Sequence, residues 1–145
     1  MNRQKEFFYH LNRIALSDNW KLTAKRRLII EILFESKKPL RAKEILNLFY
    51  NKTKQKINLS TIYSVLNILK DLQMLDILYI EETKQRFYSL KYFSSQTYMV
   101  CLKCGKIIVF DDIKLNNMIQ NLCYRNEFLM LDKTVILFGK CEDCE

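Results

Sequence analysis

Two CxxC pairs, Cys101-Leu102-Lys103-Cys104 and Cys141-Glu142-Asp143-Cys144, stand 36 residues apart and restrict the fold more than any other feature. Two residues between thiolates let one tight turn aim both sulfurs at a single ion. Two such turns complete a tetrahedral all-thiolate site with Zn–S near ~2.3 Å. The chain has 2 glycines, Gly105 after the first pair and Gly139 before the second. Glycine permits the positive φ and close backbone approach that such turns often need. The expectation is one structural zinc per chain, held by Cys101, Cys104, Cys141 and Cys144. Disulfides are disfavoured in the cytosol, and a thioredoxin-like pair would open a helix beside a βαβ pattern. Four thiolates leave no open coordination position, so hydrolytic zinc chemistry is not expected. Cys123 is left over on a helix face with Met118, Ile119 and Leu122, and is read as a buried structural thiol.

The rest of the composition excludes whole classes. With 145 residues the chain suits one ordinary domain or two small ones. Its 2 glycines leave no room for a P-loop or a GxGxxG motif. A single histidine, His10 on the first helix, cannot build a Cys–His or paired-residue active site, so no enzyme and no catalytic residues are expected. No apolar run approaches the ~20 residues of a membrane helix. No basic start leads into an apolar signal segment, so the expected location is cytoplasmic with no membrane partner.

Charge is divided unevenly. Residues 1–93 carry 18 basic and 9 acidic side chains, a net of +9, whereas residues 94–145 carry 6 and 7, a net of −1. A basic unit beside a near-neutral one suggests that the first faces a polyanion, although a solvated lysine-rich surface would give the same count. The expected division is 1–92 and 93–145, with Lys91-Tyr92-Phe93-Ser94-Ser95-Gln96-Thr97 as the junction.

Helical spacing recurs through the basic half. Phe7, Phe8, Leu11, Ile14 and Ala15 mark a helix over 3–16. Thr23 caps a second, which buries Leu28, Ile29, Ile32 and Leu33 and stops at Lys37-Lys38-Pro39. A third covers 41–50, with Ala42, Ile45, Leu46 and Phe49 inward, and a polar connection spans 51–58. Asn58 or Ser60 caps a fourth helix, buried along Ile62, Val65, Leu66, Leu69 and Leu72. Its outward face of Ser60, Thr61, Tyr63, Ser64, Asn67 and Lys70 suits a helix in a DNA major groove, bonding phosphates and base edges. Ile77–Glu81 and Arg86–Leu90 then form a hairpin with Lys84 and Arg86 near its tip. Helices followed by a two-stranded ribbon read as a winged helix-turn-helix.

In the cysteine half, 106–110 reads as a strand. Asp111 or Asp112 caps a helix ending near Tyr124, and 128–138 supplies one or two further strands. The fold class is therefore α+β: a winged helix-turn-helix domain followed by a small α/β dimerisation domain with a four-cysteine zinc site. A unit of about 50 residues is too small to be comfortable alone, and a zinc clip or a second copy would support it. Val109, Ile136 and Phe138 are the strand residues expected at such a dimer contact. A two-fold dimer would read a pseudo-palindromic operator in double-stranded DNA.

Together these residues resemble the ferric uptake regulator family of bacterial repressors. The matching runs are Lys21-Leu22-Thr23-Ala24-Lys25-Arg26, Ala42-x-Glu44-Ile45 and Leu59-Ser60-Thr61-Ile62-Tyr63-Ser64-Val65-Leu66-Asn67. They continue with Arg86-Phe87-Tyr88, Cys101-x-x-Cys104-Gly105-Lys106 and Gly139-Lys140-Cys141-x-x-Cys144. The resemblance implies transcriptional regulation, places Lys21 at the family's minor-groove lysine and puts Tyr63 at its recognition tyrosine. The sequence departs from the family pattern in four places. Ser64 replaces the usual arginine after the tyrosine, losing a bidentate contact worth ~1–3 kcal/mol of base discrimination. Ser95-Gln96-Thr97-Tyr98 stands where the family has a histidine-rich metal segment, Pro39 replaces another histidine, and Ser89 replaces the wing's glutamate. These are poor ligands for iron, manganese or regulatory zinc. Asp111, Asp112, Glu81 and Glu82 remain, but carboxylates alone make a weak and unselective site.

The expected function is thus a dimeric, zinc-stabilised, sequence-specific DNA-binding regulator without the usual histidine-based metal switch. Lys21, Arg26, Lys84 and Arg86 are expected to displace phosphate counterions. One alternative is a redox regulator working through the zinc thiolates or Cys123. Another, from a different class, is a zinc-ribbon module for RNA or protein, although stacking aromatics on a basic sheet are not evident.

Overall fold

Apolar side chains recur every three to four residues from Phe7 to Leu69, and this spacing forces the first half of the chain into packed helices. The computed structural model describes residues 2–91 and 97–145, so most of the expected junction, 92–96, lies outside the described residues. The helices are α1 (Arg3–Ser17), α2 (Ala24–Glu35), α3 (Ala42–Thr53) and α4 (Leu59–Asp71). Asn2 caps α1 by accepting from the Gln4 amide at 2.9 Å, and Thr23 caps α2 by accepting from the Arg26 amide at 3.3 Å. The α3 N-terminus is closed by Glu44 Oε1, which accepts from the Arg41 amide at 3.1 Å. That helix runs a turn past its expected end, to the left-handed Lys54, because the Thr53 hydroxyl donates back to the Phe49 carbonyl. Phe8, Leu11, Ile29, Ile45, Phe49, Ile62 and Leu69 are fully buried in the common core, each worth roughly 1.5–3 kcal/mol. Ile30 is buried as well, whereas Leu28, expected inward, is only half-buried at the edge of that core.

The hairpin follows as β1 (Leu75–Ile80) and β2 (Gln85–Leu90), antiparallel from Leu75↔Leu90 to Ile80↔Gln85. Leu40, just before α3, exchanges two backbone hydrogen bonds with Tyr88 and ties the ribbon to the helices.

Beyond the junction, β3 (Thr97–Cys101) is the central strand of a second sheet of order β4-β3-β5. Strand β4 (Ile107–Phe110) pairs with it antiparallel, and β5 (Val135–Gly139) pairs parallel. Helix α5 (Ile113–Arg125) lies between β4 and β5 in the chain and is capped by Asp112, which accepts from the Leu115 amide at 3.0 Å. Strand period 2 sends Tyr98 and Val100 to one face, where they meet Ile107, Val109 and Ile136. Ile80, Phe87 and Leu78 of the hairpin pack on that same face.

The segment 128–138 supplies one strand, the lower of the two numbers expected, and β5 pairs residue for residue with all of β3. Three expectations change here. Gly139 is not a left-handed turn residue. It sits in that ladder opposite Cys101, and of the two glycines Gly105 has the positive φ, +77°. Val109 and Ile136 pack towards the hairpin rather than remaining free for a second copy. The opposite face, Met99, Ile108 and Leu137 in one cross-strand row, is the exposed one. Cys123 is half-buried rather than buried, because α5 covers none of its own side chains within the chain.

Candidate metal centre and nucleic-acid interface

The sheet ladder delivers the first sulfur. Cys101 is buried at the end of β3, where its amide donates to the Lys106 carbonyl at 2.9 Å and its carbonyl accepts from the Gly105 amide at 2.9 Å. The parallel pairing carries β5 alongside, so Cys141 arrives next to Cys101, and a single 3-10 turn over Glu142–Cys144 brings round the fourth sulfur. All four Sγ atoms lie within 4.8 Å of one another, with Cys104 and Cys141 3.7 Å apart. A tetrahedral ion with Zn–S of ~2.3 Å has sulfur–sulfur edges of about 3.8 Å. The donor set and its spacing therefore fit a four-coordinate thiolate metal, and all four thiols are free of disulfides.

The thiols are not equivalent. Backbone N–H groups of Cys104, Cys141 and Lys103 point at the Cys101 sulfur and pull its pKa down to about 6. Cys144 shares hydrogen bonds with Cys141 and the other thiols, and without a metal is pushed up to about 12. Gly105 is required for its dihedral rather than for space. A Cβ there would meet Gln85 Oε1 at an ordinary 3.7 Å, but φ is +77°.

The residues expected at a nucleic-acid surface fall on three elements. Ser60 and Thr61 are in the first turn of α4, Ser60 exposed and Thr61 half-buried. Tyr63, Ser64 and Asn67 follow on its open face, with Tyr63 44% exposed. The buried stripe is Ile62, Val65, Leu66 and Leu69. Burial raises the Tyr88 hydroxyl pKa, and Tyr63 raises it further by proximity, so the α4 face adjoins the ribbon. Lys84 occupies the left-handed last position of the ribbon turn and is exposed. Arg86 is exposed, with its guanidinium carbon 5.4 Å from the centre of the Tyr79 ring.

The remaining pair straddles the start of α2, with Lys21 in the α1–α2 connector and Arg26 in the first turn of the helix. Lys21 is exposed, whereas Arg26 is half-buried and donates from Nη1 to the Lys21 carbonyl at 2.7 Å. Sequence reasoning passed over Lys54 and Lys56, both exposed on the short segment entering α4. Their signal was present in the lysine-rich run 52–56.

At the positions of the departures, Ser95 and Gln96 lie outside the described residues. Thr97 and Tyr98 are buried in β3, and the Tyr98 hydroxyl is hydrogen-bonded to Ser89 of β2. Pro39 is buried. Asp112 is occupied as a helix cap and Asp111 accepts from Asn116 Nδ2 at 2.6 Å. Among the described residues, the four cysteines are the one group of three or more metal-ligating side chains that converges.

Comparison with known proteins agrees with this architecture. Residues 17–138 match the profile of the ferric uptake regulator family. The ferric uptake regulation protein of Helicobacter pylori is 24% identical over 138 residues, 93% of this chain and 91% of that protein. The solved structure of the Helicobacter pylori ferric uptake regulator, described as having three functional metal-binding sites, superposes with a TM-score of 0.82. It is 22% identical and covers 99% of this chain and 94% of that one. A zinc uptake regulator complexed with zinc and DNA superposes at 0.56, with 17% identity over 99% of this chain and 95% of that one. Cysteine cluster, helix order, hairpin and profile converge: the chain belongs to the ferric uptake regulator family of transcription regulators.

Proposed function

We propose that this chain is a homodimeric regulator that binds pseudo-palindromic duplex DNA and holds one structural zinc through Cys101, Cys104, Cys141 and Cys144. On this reading it works without the family's histidine-based metal switch. The observation that carries the proposal is the open polar face of α4, with Ser60, Tyr63, Ser64 and Asn67 exposed beside the ribbon that bears Lys84 and Arg86. Short hydroxyl and amide groups there can reach base edges, and the flanking cations can meet phosphates. The zinc uptake regulator seen with DNA supports the docking mode by analogy of fold.

Zinc would supply no reaction at this centre. It would neutralise four thiolates and clamp the ends of β3 and β5, which a unit of this size needs. Dimerisation is supported by apolar surface left uncovered in the single chain. None of the side chains of α5 is buried, and Met118 (66%), Phe128 (66%), Leu129 (80%) and Leu131 (89%) stand open to solvent. Contiguous apolar surface of this kind marks an interface, and a second copy of the same unit supplies a matching face.

Loss of the metal switch is supported by chemistry at the departures. Ser89 and Tyr98 bond to each other across the ribbon–sheet contact, and hydroxyls bind Fe²⁺ or Mn²⁺ poorly. The free thiols and the family's role fit a cytoplasmic location. The deciding experiment is selection of duplexes from a random pool with zinc-loaded protein, with and without Fe²⁺ or Mn²⁺. Enrichment of a two-fold motif under both conditions is expected. A motif that emerges only with added metal would refute the metal-independent reading.

A redox reading keeps one specific support, the exposed Cys104 at a corner of the cluster. Peroxide that neither releases zinc nor changes DNA binding would dismiss it.

A further inference from the structure

The connector between α1 and α2 is more tightly tied than a surface loop requires. The Trp20 amide donates to the Ala15 carbonyl at 2.8 Å, and Asn19 turns the chain with φ of +56°. The next carbonyl, that of Lys21, accepts twice: from the Thr23 amide at 3.1 Å and from Arg26 Nη1 at 2.7 Å. The same guanidinium lies over the Trp20 indole, 5.7 Å from its centre. Thr23 Oγ1 then accepts from the Arg26 amide at 3.3 Å, so the helix cap and the connector share one residue. Arg26 and Trp20 are half-buried in this arrangement, while the Lys21 side chain is exposed.

We infer that Arg26 is a positioning residue, which holds the Lys21 backbone so that its ammonium meets DNA from a fixed point, instead of contacting phosphate itself. This rests on reading the chain as a duplex-DNA binder. An arginine suits the task because its planar fork donates at an edge while its face stacks on an aromatic ring. A lysine ammonium keeps the charge but cannot do both. With the Lys21 carbonyl held from two sides, less backbone freedom is lost when the complex forms. The neighbouring Arg27 is engaged otherwise, with Glu31 at 3.1 Å and over the Phe8 ring at 4.2 Å, so of these two arginines it is Arg26 that reaches back to the connector.

The test uses full-length, zinc-loaded protein and a duplex obtained by selection from a random pool. Affinity is measured across a KCl series for the wild type, Lys21→Ala, Arg26→Lys and the double variant. Lys21→Ala should weaken binding roughly five- to tenfold and lower the salt slope by about 1.8, the share of two displaced counterions, one from each protomer of the dimer. Arg26→Lys, which removes no charge, should reproduce most of both changes, and the double variant should bind no more weakly than Lys21→Ala. An unchanged salt slope for Arg26→Lys, or a loss that persists in full in the Lys21→Ala background, overturns the inference. The second result would mark a phosphate contact or a folding defect. Absence of wild-type binding to any duplex would overturn the DNA-binding reading as well, whereas strong wild-type binding with additive losses overturns the positioning role alone.

Discussion

The backbone N–H of Cys141 donates to Sγ of Cys101 at 3.3 Å, joining residues 40 positions apart before any metal is considered. Three amides in all, those of Cys104, Cys141 and Lys103, stabilise the Cys101 thiolate. Cys101 is therefore the sulfur best prepared to ligate, whereas Cys141 and Cys144, both raised above the ordinary thiol value, must be deprotonated by the metal. Zinc loading of the apo-protein should release protons, and zinc should be held more weakly as pH falls, most steeply below about 6, where protons compete for Cys101 as well. Release to a chromophoric chelator, followed from acid to neutral pH, measures this. Zinc affinity that does not change with pH would contradict the ligand assignment.

Phe87 and Ile80 carry the contact between the ribbon and the second sheet, meeting Tyr98, Val100 and Ile107. Phe87→Ala should cost about 3–5 kcal/mol through lost burial and a cavity. Denaturant unfolding gives the magnitude. Hydrogen exchange should show the β1 and β2 amides opening first, while α1 and α2 keep their protection.

Tyr63 is 44% exposed and packs into neither core cluster, so Tyr63→Ala should leave thermal stability nearly unchanged while weakening duplex binding. Ser64→Arg, next to it on the open face, should gain ~1–3 kcal/mol of base discrimination if its fork reaches a guanine edge. Repeating the random-pool selection with each variant reads both effects, and an unaltered motif for Ser64→Arg would place that side chain away from the groove.

Asp76 of β1 and Glu44 of α3 should respond to pH in opposite senses. Burial raises the Asp76 carboxyl above its ordinary value of 3.8 and Asp132 adds to this, against the attraction of Lys91. Its favourable contribution is full below 3.8 and is lost as pH rises through the elevated folded value, so Asp76→Asn should stabilise the protein at neutral pH and matter little in acid. Burial also pushes Glu44 up, but the Arg41 amide and guanidinium together with Lys38 outweigh it and hold the carboxyl below 4.5. Its contribution is present above 4.5 and disappears as pH falls through the lowered value, so Glu44→Gln should destabilise at neutral pH and become neutral in acid. Chemical denaturation under the two conditions separates the pair.

Leu122 and Met118 are 54% and 66% exposed on α5, which buries nothing within its own chain. Leu122→Glu should shift the protein towards monomer in sedimentation equilibrium and lower affinity for a two-fold duplex by more than about tenfold, because the second half-site is then bound separately. A dimer unaffected by both Leu122→Glu and Met118→Lys would move the interface elsewhere.

Local chemistry made the helices legible. Thr23 and Asp112 cap where hydroxyl and carboxylate oxygens can satisfy orphan amides, and Ile62, Val65, Leu66 and Leu69 form the buried stripe that their spacing requires. The four cysteines were legible for the same reason, since each CxxC turn is a local device and the donor atoms announce their chemistry. The family motifs followed from those local patterns. Long-range pairing decided everything else. Strand β3, which begins at the last residue of the expected junction, pairs with both β4 and β5 as the central strand, and that pairing placed Gly139 in a ladder and turned Val109 and Ile136 towards the ribbon. Arg26 reads in sequence as one more cation beside DNA. Only the folded connector shows it donating to the Lys21 carbonyl, because a side chain's partner is set by which backbone group the fold brings within reach.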